Sequence, residues 1–268
     1  MIKKDKGVHL LVIAPHRDDE TLGCGEFIFD IQSQGHFVWV AFLTSGTSPE
    51  GKLNHNGHVQ LRRREARRAL KFLGVPSHRN IFFPLLTRNT YRKIPFLFAQ
   101  LSKHVKKIEP QFILAPAFEG GHPDHDVASF LAHLLKQHHP NVVVLEYALY
   151  NWKKGARKCK EFLEKDGFIT WHPSKEAKKA KARALNQYRT QQHILSLEKR
   201  TFVERFRPQP EHDYSRPPAH QKALYERWAS GVRQQDVISH ISAFEQQFAK
   251  KKPKKKHTKK LWHSLVFR

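Results

Sequence analysis

"LLVIAPHRDDETLGCG", residues 10–25, is the stretch on which the fold turns. Its first part is continuously apolar from Leu10 to Ala14, and a short apolar run bounded by turn residues reads as a strand buried on both faces. Its second part delivers His16, Arg17, Asp18, Asp19 and Glu20 in succession, followed by small residues. Asp18 and Asp19 cannot both stand ionised and unpaired in a cleft without mutual repulsion and a desolvation cost. A divalent cation relieves one of them and leaves the other as a base. Glu20 by itself is explained by a helix N-terminus, where the macrodipole favours an acid.

Outward from this stretch the pattern repeats. Residues 9–15 and "FVWVAFL" (37–43) read as strands, separated by a helix over 22–34 that Gly35 closes. A helix over 59–73 places Ala66, Ala69, Leu70 and Leu73 on one face and stops at Gly74 and Pro76. Short strands at 80–84 and 111–116 flank a helix near 95–108. A helix over about 126–137 leads into a further strand, "NVVVLEY" (141–147). "IFF" and "FLFAQL" read as core. Such alternation predicts an α/β domain, a mostly parallel sheet with helices on both faces. In such sheets function collects in loops beyond the carboxyl ends of the strands. "PHRDDE", "TSG" and "PAFEGGHPDHD" (116–126) each leave one of these ends.

The last of these loops carries His122 and His125 three residues apart, the spacing of His16 and Asp19. Residues at i and i+3 on a helical turn face one side. A catalytic zinc typically takes three protein ligands and keeps one position open for water, and two histidines with one carboxylate meet that count. In a chain with 19 histidines a single H-x-x-H pair is weak evidence, and "GGHPDHD" alone reads equally as a glycine-rich turn capped by Asp124 or Asp126. Both clusters at strand ends point to a metal. His133, His138 and His139 read as surface residues.

The 268 residues suffice for one domain with a small appendage. No apolar run reaches the length of a transmembrane helix. Basic residues precede the first apolar run, as in a leader. That run is short, lacks a small-residue cleavage site and leads directly into the acidic cluster, so it is read as a strand. Cys24 and Cys159 are the only cysteines, which removes any disulfide framework and favours the cytoplasm. The net charge is +24, and Lys250–Lys260 alone carries eight lysines and no acid. The rest of the chain is basic as well. Such a field favours anionic partners: nucleic acid, an acidic lipid surface, or a phosphorylated or acidic sugar. The organisation expected is a domain over 1–248 and a basic, disordered, solubilising tail over 249–268 that can attract an anionic membrane surface.

"APHRDDETLGCG" taken with "HPDH" in "EGGHPDHD" resembles the LmbE-like, or PIG-L, family of zinc-dependent N-deacetylases. Its signature is a strand followed by A-H-P-D-D-E, with a later loop carrying H-x-D-H. "TSG" after the second strand, "RRREARRALKFLG" with its Arg62, Glu65 and Ala69, and "KARALNQYRTQ" near residue 187 match further. The resemblance spans roughly residues 9–195, with an extension through "FRPQPEHDYSRPP". It implies a Rossmann-like fold with His16, Asp19 and His125 as Zn²⁺ ligands and Asp18 as general base. His122 would stabilise the tetrahedral oxyanion, with Asp124 orienting it. Arg62 would contact substrate. Arg17 stands where the family has proline, and offers either a contact to an anionic part of the substrate at the pocket mouth or a solvated charge. The implied reaction removes the N-acetyl group from an N-acetylglucosamine-type sugar or glycoconjugate. Two other readings stand beside it: an amidase of the same fold on a glycopeptide or amino-sugar lipid, and a basic nucleic-acid-binding protein. No helix-turn-helix, RRM or zinc-finger pattern supports the last, so no specific nucleic acid is expected.

Overall fold

In a computed structural model of the chain, the residues described are 7–47, 55–164, 167–193, 195, 203–218, 222–227 and 231–249. The lysine-rich tail expected over 249–268 lies outside them from residue 250 onward. Five strands, β1 (His9–Ala14), β2 (Phe37–Thr44), β3 (Asn80–Leu85), β4 (Phe112–Pro116) and β5 (Val143–Tyr147), pair in parallel in the order β3-β2-β1-β4-β5. A hairpin follows, β6 (Tyr150–Lys153) and β7 (Ala156–Cys159). Then β8 (Ile169–Thr170) and β9 (Arg205–Pro208) extend the main sheet antiparallel beyond β5, to seven strands.

The helices are α1 (Asp19–Ser33), α2 (His55–Phe72), α3 (Ile94–Ile108), α4 (Pro123–His138), α5 (Lys175–Leu185) and α6 (Gln234–Ala249). None is long and apolar enough to cross a membrane. The apolar run of β1 is explained by two cores. Leu11 and Ile13 point into one, with α3, α4 and α6; Leu10, Val12 and Ala14 point into the other, with α1, α2 and α5. All five are fully buried. Because strand side chains alternate, a one-residue slip would exchange the two sets, so the register is fixed on both faces. The chain winds one way from β1 to β2 and the other way to β4. The crevice at their carboxyl ends is therefore the switch point at which such sheets bind ligands.

Several helix starts differ from the sequence reading. α4 begins at Pro123, not near 126, because His122 acts as its N-cap: the His122 Nδ1 accepts from the Asp124 amide at 3.1 Å. Proline suits the first helical position, where its missing N–H costs nothing. Asp124 and His125 thus sit in a rigid first turn rather than a loop. α1 begins at Asp19 and breaks at Cys24, whose φ of −148° is not helical. Glu204, just before β9, caps the restarted half by accepting from the amides of Glu26 (2.8 Å) and Phe27 (2.9 Å). Lys160 donates to the Leu22 carbonyl at 2.6 Å on the other side of the break. The expected surface residue His133 is buried, its ring 5.3 Å from that of Tyr214. Phe82 of "IFF" is only half-buried, packed at the margin of the second core, and Phe96 of "FLFAQL" is exposed.

Candidate active site

Pro15 ties the ends of β1 and β2 together, its carbonyl accepting from the Thr44 amide (3.1 Å) and hydroxyl (2.9 Å). The chain then turns tightly, and the His16 amide donates to Asp19 Oδ2 at 2.8 Å. This folds the imidazole back over the first turn of α1, with His16 Nδ1 2.9 Å from the same oxygen. From β4, the first turn of α4 delivers His125 Nε2 to 3.3 Å from Asp19 Oδ2 and 3.4 Å from His16 Nδ1. Three donor atoms from two strand ends therefore stand 2.9–3.4 Å apart. Zinc bonds of about 2.0–2.2 Å in a tetrahedral array require ligand atoms about 3.3–3.5 Å apart. The two separations to His125 meet that spacing, the 2.9 Å one is shorter, and the two-imidazole, one-carboxylate chemistry fits a zinc ion. His122 borders the group, and the candidate ligand atoms of His16, His122 and His125 lie within 4.8 Å of one another.

The charges follow from this crowding. Burial disfavours the His16 cation, but Asp19 and Asp124 outweigh it and push its pKa up to about 10. A metal ion takes the place of that proton when it binds. Burial would raise Asp19 too, yet His125 and His16 hold it well below the usual carboxylate range. Asp18 is raised, burial prevailing over the Arg62 guanidinium. The two aspartates are thus pushed apart, as a ligand and a base should be. His122 is held well below its ordinary value by burial and by His16. It is neutral, and since its Nδ1 accepts from Asp124, its proton sits on Nε2.

Asp124 orients His122 through its backbone amide, while its carboxylate turns to His16. Its Oδ2 lies 3.7 Å from His122 Nδ1 but 3.2 Å from His16 Nε2. It accepts from the amide of Arg88 (2.6 Å), and from the hydroxyl (2.6 Å) and amide (3.3 Å) of Thr90. From the first turn of α4 the side chain points to the segment after β3, and from there it takes the Nε2 proton of His16. That leaves Nδ1 facing the metal position, the carboxylate–histidine–metal arrangement of many zinc sites. Nothing in the sequence marks Arg88 and Thr90 as its partners, because two of these contacts are backbone amides; Arg88 has a positive φ of 62°.

Arg62 is not placed to touch substrate. It is 1% exposed and its Nη2 lies 3.2 Å from Asp18 Oδ2, while Nη1 lies 3.5 Å from Glu65 Oε2 and from Thr190 Oγ1. Glu65 also accepts from the Thr190 amide and hydroxyl. Thr190 is an anchor that no charge pattern announces, although it falls in the matched "KARALNQYRTQ". The "TSG" glycine is needed here: Gly46 has φ +73°, and a Cβ would stand 2.9 Å from Arg62 Nε. At Gly121 a Cβ would collide with the Tyr150 carbonyl, so the β6–β7 hairpin can pack on the HPDH turn only because that residue lacks one. Arg17 is 2% exposed, so it is not a solvated charge. It donates to the Val59 carbonyl at 2.6 Å, and burial together with Arg62 and Arg63 pushes its pKa down to about 9. Glu20 stands in the first turn of α1, as expected of a helix-end acid. It is fully buried, accepting from Thr21 (2.7 Å) and the Tyr188 hydroxyl (2.5 Å), and burial pushes its pKa up to about 7.

Residues 11–136 match the family described as PIG-L, GlcNAc-PI de-N-acetylase. Among solved structures, the zinc inhibited form of teicoplanin deacetylase is similar at 18% identity and a TM-score of 0.57, over 77% of this chain and 99% of that one. N,N′-diacetylchitobiose deacetylase from Pyrococcus horikoshii, in complex with an inhibitor, is similar at 19% identity and 0.57, over 76% and 85%. The 4-carboxy-2-hydroxymuconate hydratase of Pseudomonas putida is similar at 17% and 0.53, over 76% and 98%. At these identities the likeness is one of fold, and the hydratase among them shows that the fold alone does not fix a reaction. The specific signal is the motif pair, and both halves lie inside residues 11–136, the segment that matches the PIG-L, or LmbE-like, family.

Proposed function

We propose that the chain is a zinc-dependent N-deacetylase acting on an N-acetylglucosamine-type sugar or glycoconjugate. The observation that carries this is the meeting of His16 Nδ1, His125 Nε2 and Asp19 Oδ2 within 3.4 Å, with Asp18 next in sequence to the ligand carboxylate. Zinc held by these three residues supplies a Lewis acid that polarises an amide carbonyl and lowers the pKa of water to about 7. Asp18, its proton affinity raised by burial, takes the proton of the attacking water. Arg62 fixes the direction of that carboxylate through its 3.2 Å contact. His122 carries its proton on Nε2 and donates a hydrogen bond from it to the carbonyl oxygen as charge develops there, while Asp18 passes the proton it took from water to the departing nitrogen. Asp124 holds His16 in the tautomer that presents Nδ1. The C–O bond forms, the C–N bond breaks, and acetate and a free amine leave.

The family description names an acetylated amino sugar, which favours that class over another amide. Cys24 is buried and no disulfide forms among the described residues, which suits a reducing, cytoplasmic setting. The test is mass spectrometry of reactions with N-acetylated sugars, glycolipids and glycopeptides, with zinc and with a chelator. Metal-dependent loss of one acetyl group from a sugar is expected. Loss only from a glycopeptide moves the substrate class, and no amine product from any member of the panel refutes the reading.

A further inference from the structure

Phe82 of β3 is ringed by three guanidinium groups. The Cζ of Arg17 lies 5.2 Å from its centroid, that of Arg63 4.8 Å and that of Arg67 5.5 Å. The ring itself is stacked on the buried Phe42 at 5.1 Å. Arg63 and Arg67 stand one turn apart on α2, where like charges repel. The nearby acids are already engaged: Asp18 pairs with Arg62, and Glu65 with Arg62 and Thr190. No acid among the described residues pairs with Arg17, Arg63 or Arg67. The adjoining residues 48–54 contain a single acid, Glu50, so the group has more cations than acids to answer them.

Burial makes this imbalance informative. Arg17 is 2% exposed and spends one N–H on the Val59 carbonyl, and the Nε atoms of both Arg17 and Arg63 are buried without a partner. A guanidinium has five N–H donors, and buried charges in proteins are paired or bound to ligand. An aromatic face offsets only a small part of that desolvation. A carboxylate has two oxygens and suits one guanidinium fork. Three guanidinium groups at one place suit the oxygens of a phosphate group, which accept from several forks at once.

We propose that Arg17, Arg63 and Arg67 form a phosphate-binding subsite beside the metal centre, and that the phosphate is carried by the substrate, a phosphorylated N-acetylamino sugar. The substrate clause rests on the deacetylase reading; the subsite does not. Arg17 lies in sequence between the ligand His16 and the base Asp18, and Arg63 follows Arg62, which holds that base. Arg17 occupies the place of a proline in the family signature, which has no N–H to offer, so the subsite is a property of this chain.

The test uses the full chain and two double variants of α2 with equal loss of charge. Arg63→Gln with Arg67→Gln removes two members of the group, the half-buried Arg63 and the exposed Arg67, and Arg64→Gln with Arg68→Gln removes two exposed arginines of the same helix outside the group. Calorimetric titration with inorganic phosphate, at constant ionic strength in chloride, should show saturable binding. The affinity should fall at least tenfold in the first variant and stay within twofold in the second. An equal fall in both, or no saturable binding, overturns the subsite and leaves only the general basic field. In the kinetic arm, kcat/KM for N-acetylglucosamine 1-phosphate should exceed that for N-acetylglucosamine at least tenfold, with the ratio collapsing toward one in the first variant. Tight inorganic phosphate binding with a ratio near one in the unmodified chain assigns the site to free phosphate and overturns the substrate clause. If neither sugar is deacetylated the deacetylase reading fails, while the titration still decides the subsite.

Discussion

Replacing Asp124 by Asn should separate metal affinity from ligand identity. The carboxylate is fully buried, with Oδ2 accepting from the Arg88 amide and His16 Nε2, and Oδ1 accepting from Thr90 twice. An amide has one oxygen. With its nitrogen at the Oδ2 position, the Arg88 and His16 donors face another donor; with the amide turned over, the Thr90 backbone N–H loses its acceptor. Each buried donor left unmatched costs about 1–3 kcal/mol, and relaxation of the segment after β3 recovers part of it, so Asp124→Asn should lose about 2–4 kcal/mol of stability. The same change releases the His16 ring from the orientation that presents Nδ1. Partners of this kind contribute about 10–100-fold in metal affinity. Competition for zinc against a chromophoric chelator measures the affinity, and urea unfolding of the metal-free chain measures the stability. Zinc affinity within twofold of the unmodified protein would refute the assignment of Asp124 to His16. His122→Ala is the counterpart: it should leave zinc affinity nearly intact and reduce turnover.

Asp18→Asn should keep zinc and lose about 10²–10⁴-fold in turnover, whereas Asp19→Asn should lose the metal itself; equal metal loss in both would end the division of roles. Lys181→Met leaves Glu204 fully buried without its 2.7 Å partner, so denaturant unfolding should show a loss of about 3–5 kcal/mol, and a change below about 1 kcal/mol would contradict the buried pair. Glu119 is fully buried, and desolvation pushes its pKa from 4.5 up to about 7. Between those values the unfolded chain releases a proton that the folded chain retains, so Glu119 makes stability fall as pH rises from about 4.5 to 7. Glu119→Gln should therefore gain on the unmodified chain across that window, by at most about 3 kcal/mol, and parallel stability curves would rule the effect out.

Much of this architecture was legible because its causes are local. An apolar run with no alternation can only be a strand covered on both sides, and Leu10 to Ala14 divide between two cores as that requires. Two charged clusters at strand ends marked the crevice, and His16, Asp19 and His125 do meet there. What escaped is what distance in sequence conceals. Arg62 was expected as a substrate contact from the family resemblance alone; its acid partner, Asp18, lies 44 residues away. Glu20 is the helix-end acid expected, but its burial beneath the Tyr188 hydroxyl left no local signal, since that donor lies 168 residues away. Asp124 was assigned to its neighbour His122, but a helical turn sends the two side chains different ways, and the partner its carboxylate finds is His16. The kink in α1 left no signal beyond "GCG", since its cap is a glutamate from beside β9.

That kink ties the metal centre to the timing of synthesis. The helix that begins with the ligand Asp19 has its interrupted amides satisfied by Glu204, which is translated 178 residues after the first of them. At about 5–20 residues per second, a nascent chain waits about 9–36 s between making Glu26 and making its cap, and longer before Glu204 clears the exit tunnel. During that interval the amides of Glu26 and Phe27 have no carboxylate, and the buried amine of Lys181 has no counterion. The segment 11–136 holds every proposed zinc ligand, yet it emerges from the ribosome unable to complete the helix that carries one of them. The half of α1 beyond Cys24 therefore gains its cap only once residue 204 has been made.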